Sequence, residues 1–188
     1  MPGPTAPNQT PAKILVLTGD RFACVKIVGR ANFASSIDFK NLVDSLRQKG
    51  LAYLVMDLSE CLLMDSTFLG VLAGFGLQMN LQGTAGDGRQ IELYRPNARL
   101  IGLIENLGIL HLFRVTQEPL ALPACGEVQA LDPASVSKED LTRASLEAHR
   151  TLMEINPENV ARFKEVTRFL AEDLERLRGG ASSAQKEK

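Results

Sequence analysis

Histidine and cysteine are scarce in this 188-residue chain, and each scarcity removes a class of chemistry. The only two histidines, His111 and His149, have no ligand-spaced companions, so metal hydrolases and histidine-based triads find no support. Three cysteines, Cys24, Cys61 and Cys125, are odd in number and far apart, which rules out a disulfide framework or a zinc knuckle. Excess charge of one sign is also missing. A formal net charge of −1 leaves no global positive field to hold a nucleic-acid backbone, so no direct nucleic-acid partner is expected. Long hydrophobic runs are absent too. The 66–86 stretch carries no charge, but Gln78, Asn80 and Gln82 interrupt it, and a bilayer crossing needs roughly 20 predominantly apolar residues. No membrane insertion follows. The first eleven residues contain four prolines and no apolar h-region, so they read as a flexible, polyproline-leaning tail rather than a signal peptide. The expected location is cytoplasmic.

What is present divides in two. Residues 1–132 carry 11 Lys+Arg and 12 Asp+Glu, whereas the 56 residues 133–188 carry 10 of each. This doubling of charge density falls at Pro123, Gly126 and Pro133 and marks the end of a compact domain. The reading is a tail over 1–12, a domain over 13–121, a linker over 122–136, a charged two-helix extension over 137–179 and a disordered end over 180–188.

Within the domain, strand and helix periods alternate. Lys13 to Leu17 and Phe22 to Val28 read as a β-hairpin about Gly19-Asp20. Ser35 with Asp38 looks like a capping box for a helix whose apolar face is Phe39, Leu42, Val43 and Leu46, with Gly50 as its stop. Leu51 to Leu58 is nearly all apolar, as a covered central strand should be. The uncharged helix after Asp65-Ser66-Thr67 runs into a turn, Gly83 to Gly88. That turn follows a helix and precedes a strand, the reverse of a phosphate-binding loop, so it reads as a plain turn. Gln90 to Tyr94 is the next strand. Asn97 caps a helix bearing Leu100, Ile101, Ile104 and Leu107, and Ile109 to Val115 is the last strand. The order is ββαβαβαβ, an α/β fold with parallel crossovers. In the extension, Leu141, Ala144, Ala148, Leu152 and Ile155 share a face. Asn156-Pro157-Glu158 restarts a helix striped by Val160, Phe163, Val166, Leu170, Leu174 and Leu177 and ended by Gly179-Gly180. Such a stripe needs a partner, either its own domain or another chain, which leaves a homo-oligomer through these helices open.

One stretch carries a family likeness. Asp57-Leu58-Ser59 and Asp65-Ser66-Thr67-Phe68-Leu69-Gly70-Val71-Leu72 resemble the third strand end and following helix of the STAS domain, the fold of bacterial anti-sigma-factor antagonists. In this likeness Thr67 replaces a second serine and Phe68 a glycine; the element order agrees over about 13–120, and the extension lies outside it. The resemblance implies a sheet of about five mixed strands with helices mainly on one face, followed here by the two-helix appendage. It also implies a phosphorylation switch at Ser66. The partners would be an anti-sigma factor with serine-kinase activity and a separate serine phosphatase, with no cofactor and no catalytic residue in this chain.

Local physics bears on that implication. A phosphate adds about −1.5 to −2 charge and suits a helix N-terminus. Equally, an Asp or Ser before an apolar helix is an N-cap worth about 1 kcal/mol. On the helix itself, Leu69, Leu72, Ala73, Gly76 and Asn80 suit packing on the sheet, while Phe68, Val71 and Phe75 lie on another side. Two apolar faces mean the helix is covered twice, by the appendage or by a partner. The expected partner-binding residues are Asp57, Asp65, Ser66, Thr67, Phe68, Val71 and Phe75. The alternative is a constitutive, unphosphorylated adaptor in a signalling or transport assembly. An enzyme would need a nucleophile–base pair or a metal cluster, and neither is legible. His111 reads as structural and His149 as a solvated helix residue. Cys61, near the switch, is the cysteine whose reactivity is worth checking.

Overall fold

The computed structural model describes residues 12–82, 90–119, 128–132 and 135–184, with side chains through 179 except that of residue 82. The proline-rich tail over 1–11, the Gly83 to Gly88 turn and Cys125 lie outside the described residues. Strands β1 (Lys13–Thr18) and β2 (Phe22–Ala31) form the expected antiparallel hairpin, closed by the Gly19 amide donating to the Phe22 carbonyl at 2.8 Å. Helix α1 (Phe33–Gln48), β3 (Tyr53–Met64), α2 (Ser66–Gln82), β4 (Ile91–Tyr94), α3 (Ala98–Asn106) and β5 (Arg114–Thr116) follow in the ββαβαβαβ order. The chain is α/β, and its sheet is mixed. The pairs β2/β3, β3/β4 and β4/β5 are parallel, and β1 is antiparallel to its neighbours.

Side-chain alternation selects one face of this sheet for the core. Across the register Val16, Val25, Met56 and Leu93 fall in one row, and Ala23, Leu54 and Ile91 in the next, all buried. Phe39 and Val43 of α1, Leu69, Leu72 and Ala73 of α2, and Leu100 and Ile104 of α3 join the same cluster, so all three helices close over that face. The opposite face is more polar: Lys26 pairs with Asp57 and Glu60, and the Tyr53 hydroxyl donates to Glu92.

Four details differ from the sequence reading, each for a local reason. Helix α1 starts three residues earlier, because Asn32 accepts from the Ala34 and Ser35 amides while Ser35 Oγ accepts from the Asn32 amide; Ser35 is the third residue of the box, not its cap. The Ile109 to Val115 run is only partly strand: Leu110–Leu112 is a 3-10 turn, and its apolar character reflects buried Ile109, Leu112 and Phe113. The expected linker contributes β6 (Gln129–Ala130), antiparallel to β1 through Leu15 and Val16, which makes a sixth strand in the order β5-β4-β3-β2-β1-β6. Finally, the last helix runs through Gly179-Gly180 to Ala184; glycine costs about 1 kcal/mol in a helix but keeps its amide hydrogen bond.

The extension folds back onto the domain. Helices α4 (Lys138–Ile155) and α5 (Asn159–Ala184) form an antiparallel pair, with Ser137 capping α4 by accepting from the Asp140 amide. Leu152 is fully buried and, with Phe163, enters the domain core. The turn between the two helices is bolted to the end of α3. Asn159 Nδ2 donates to the carbonyls of Leu107 and Leu152 at 2.9 Å each, and Gly108, at φ 69°, lies so close that a Cβ would meet Asn156 Nδ2 at 2.4 Å. Replacing Asn159 by Ala removes one hydrogen bond from each of these carbonyls and leaves both with the donor that Asn156 supplies. It is expected to cost about 2 kcal/mol, read as a lower urea midpoint at unchanged slope.

Candidate functional site

Strand β3 does not stop at Leu58. Strand β2 shifts register at Lys26/Val28 and again at Gly29/Arg30, and so stays paired with β3 as far as Ala31↔Met64. This extension separates two residues expected to act together. From Asp57 to the start of α2 the strand covers on the order of 20 Å. Asp57 also points to the face opposite the helices, where its carboxylate is 3.8 Å from Lys26 and accepts from the amide and hydroxyl of Ser59.

At the end of β3, Asp65 organises the site. Its Oδ1 accepts from the Phe68 amide at 2.8 Å, in the first turn of α2, and its Oδ2 accepts from the Phe33 amide at 2.7 Å, the first residue of α1. One carboxylate thus caps two helices, and the Asp65 amide in turn donates to Ala31 on β2. Both helix N-termini favour a negative charge here. Burial nevertheless dominates and raises the pKa of Asp65, opposed by the amides of Phe68, Phe33 and Thr67 and by His149.

Ser66, half-buried, is the first residue of α2, and its hydroxyl meets a residue read as solvated. His149 of α4 is buried, and its Nε2 lies 2.9 Å from Ser66 Oγ. The Nδ1 of His149 is 2.7 Å from the Ser145 carbonyl. A carbonyl only accepts, so Nδ1 carries the proton, and in the neutral ring Nε2 is left to accept from Ser66. Burial holds the pKa of His149 below its ordinary 6.5, against the opposing pull of the Ser145 carbonyl and Asp65, so the ring is neutral at pH 7. Phe163 of α5 packs against the ring at 4.9 Å between centroids. Beside this pair, Thr67 Oγ1 donates to Ser145 Oγ at 3.4 Å.

The chain therefore does contain a serine–imidazole pair, which sequence reading did not find because 83 residues separate its members. A nucleophile also needs a place for its substrate. The two clefts described along this side of the molecule are lined by α1, α2, α4 and residues 135–136, and neither includes Ser66 or His149. In this conformation the pair joins two helices.

The helix contact around it is unusually close. A Cβ on Gly70 would lie 2.5 Å from the Ala148 carbonyl oxygen, and one on Gly74 would touch Thr151 at 3.7 Å. Gly70 and Gly74, four apart, present bare backbone to the Ala144–Ala148 side of α4. That matched spacing of small residues was the legible signal for the contact. The aromatic positions face elsewhere. Phe68 is fully buried and stacks on Phe39 of α1 at 4.9 Å, and Phe75, 4% exposed, meets the same ring edge-on at 6.0 Å. Val71 is half-buried at the seam of α1, α2 and α4. Helix α2 is thus covered on three sides by the sheet, α1 and α4, with Leu77 and Leu81 exposed toward its C-terminal end, and Phe68 and Phe75 offer no surface. The large exposed apolar side chains at this end of the sheet are Phe33, at 47%, and Leu62, at 60%. Cys61 is buried, and desolvation pushes its thiol up to about 11, so it is no nucleophile at neutral pH. His111 is exposed on the 3-10 turn.

The matching family model is that of the STAS domain, over residues 13–120, and the chain belongs to that family. Among solved structures it is similar to the anti-sigma factor antagonist SpoIIAA in its unphosphorylated form, at 13% identity over 57% of this chain and 90% of that one, with a TM-score of 0.46. It is also similar to a DUF3478-family protein with a SpoIIAA-like fold from Shewanella loihica PV-4, at 13% identity over 61% and 93%, with a TM-score of 0.41. None of the curated proteins matches the chain. Among the described residues, no helix is long and apolar enough to cross a membrane, and no cluster of three or more His, Cys, Asp or Glu side chains could hold a metal.

Two expectations test this geometry. Asp65→Ala removes acceptors from two helix N-termini and should cost about 2–3 kcal/mol in chemical denaturation, whereas Asp65→Asn, keeping one acceptor oxygen, should recover about half. His149 binds its proton less readily folded than unfolded, so protons favour the unfolded chain. Stability is complete above the unfolded value and falls as pH drops below about 6.5, until the lower folded value is passed. Asp65, with its raised pKa, works in the opposite direction at more acid pH. Denaturation midpoints of the wild type should therefore fall between about pH 7.5 and pH 5.5, and those of His149→Phe should fall less.

Proposed function

We propose that this chain is a non-enzymatic protein-interaction module that acts as an anti-sigma-factor antagonist, controlled by phosphorylation of Ser66. The observation that carries the reading is the position of Ser66. It is the first residue of α2, half-buried, directly after the capping Asp65 and at the C-terminal end of β3. In parallel sheets this end is where loops gather to form binding sites. A phosphate on Ser66 would meet the positive end of α2 and the negative charge of Asp65 together. It would change the potential of the surface a partner reads. The partners are an anti-sigma factor with serine-kinase activity and a serine phosphatase, and the setting is the bacterial cytoplasm.

The contact surface we assign comprises the half-buried Asp65, Ser66 and Val71, extended by the exposed Phe33 and Leu62; Thr67, buried and bonded to Ser145, lies behind it. Asp57 stands apart from it, held by Lys26 and Ser59, and Phe68 and Phe75 act through the packing that positions α2. A second reading, the constitutive adaptor, draws support from a specific contact: Ser66 already spends its hydroxyl on His149 inside the chain.

The two readings part on one measurement. Intact-mass analysis and site mapping of the protein from its own cells should find a fraction carrying one phosphoryl group on Ser66, absent in Ser66→Ala. No phosphate there during growth, stress and starvation would transfer the assignment to the adaptor.

A further inference from the structure

Ser66 and the α4 side of α2 are covered from within the chain, and the way they are covered differs from ordinary core packing. The cover consists of small residues on small residues, Gly70 and Gly74 against Ala144, Ala148 and Thr151, plus the polar contacts Ser66–His149 and Thr67–Ser145. The α4 groups that meet Ser66, Thr67, Gly70 and Gly74 are the His149 imidazole and the small side chains of Ser145, Ala148 and Thr151. Toward α1 the fit is open. A cleft of about 400 Å³ lined by Ile37, Lys40, Asn41 and Arg143, and another of about 140 Å³ lined by Lys40, Asp44, Val71 and Phe75, run along that seam. The firm attachment lies at the other end, where Leu152 is buried and Asn159 holds the Leu107 carbonyl.

Resting on the reading of Ser66 as the controlled residue, we propose that α4 is a lid in cis. Anchored at its C-terminal turn, its 138–149 portion occupies the helix-binding face of α2 and shields Ser66, and a negative charge on Ser66 displaces it. The face would accept, in place of α4, a partner helix with small residues four apart and a hydrogen-bond acceptor opposite Ser66.

The displacement follows from the contact geometry. At 2.9 Å from Ser66 Oγ, the imidazole fills the space a phosphoryl group needs, and backbone contact between Gly70 and Ala148 leaves α4 no room to yield while seated. The accepting lone pair of Nε2 would also face anionic oxygens, with the Asp65 carboxylate beside them. Conversely, a kinase reaching for the hydroxyl must first break its bond to His149. Modification and docking of α4 are mutually exclusive, so whatever lifts α4 sets the rate at which Ser66 is exposed.

The full-length chain tests this without any kinase. In Ser66→Cys, alkylation of the thiol introduced at position 66 by iodoacetamide is read by peptide mass, with the buried Cys24 and Cys61 as internal controls of folding. Adding Gly70→Ala places a methyl against the Ala148 backbone. It should speed labelling at position 66 at least about tenfold while Cys24 and Cys61 stay protected. In a second pair, Ser145→Cys reports on the covered side of α4. Its labelling should rise by a similar factor on adding Ser66→Glu, a change that itself favours the start of α2. Unchanged labelling at position 66 with Gly70→Ala overturns the lid. So does exposure of Cys24 and Cys61 along with the introduced thiol, which would make α4 part of the core. Equal or slower labelling at position 145 with Ser66→Glu also overturns it, because the charge would then be held beneath α4 by His149. Absence of phosphate on Ser66 in cells removes the first reading and leaves these rates untouched.

Discussion

The Asp65 carboxylate is the junction that sets the rest of this arrangement. Its two oxygens accept from the first residue of α1 and from the first turn of α2, and its own amide is tied to the end of β2. Two helices and two strands are thereby aligned by one residue, and Ser66 inherits its position from that alignment. Burying a carboxylate is costly, and burial alone moves its pKa upward. Several amides and the ends of two helix dipoles offset the cost, which an uncharged cap would do less well.

From this junction outward, the distribution of side-chain size decides what touches α2. Leu69, Leu72 and Ala73 go to the sheet; Phe68 and Phe75 go to Phe39 of α1; and Gly70 with Gly74 leaves room for the α4 backbone. A helix with no charged residue is thus buried on three sides by three different elements. Over its first turns the lack of charge is explained inside the chain; Leu77 and Leu81 near its C-terminal end are exposed, and around Ser66 the exposed apolar side chains are Phe33 and Leu62. The extension is accordingly a third layer over α1 and α2, and its imidazole is the group from it that reaches the serine.

Much of this was legible in the linear chain because it is local. Alternating periods fixed by backbone geometry marked β1 to β4, and Asn97 and Asn156-Pro157 marked helix starts by their own hydrogen-bonding chemistry. The Asp65-Ser66 pair announced itself as the opening of α2 for the same reason. Where the local signal was ambiguous the reading slipped. Ser35 with Asp38 reads as a box, whereas in the folded chain Ser35 is the third residue of a box capped by Asn32. Phe68, Val71 and Phe75 do share a helix face, but a face says nothing of what lies opposite it.

The linear order of residues was enough for the succession of elements, the family likeness and the identity of the serine at the start of α2, since each rests on residues within one helical turn or one strand. The partners of that serine came from the folded chain alone. His149 is 83 positions away from it, and Asn159 is 52 from the Leu107 carbonyl it holds, so no period or motif could join them. Folding also placed Asp57, which is close in sequence, far along the strand. Contacts between elements depend on how close two backbones can come, and here that is set by the missing side chain at Gly70, a feature that acquires meaning only when Ala148 is opposite it.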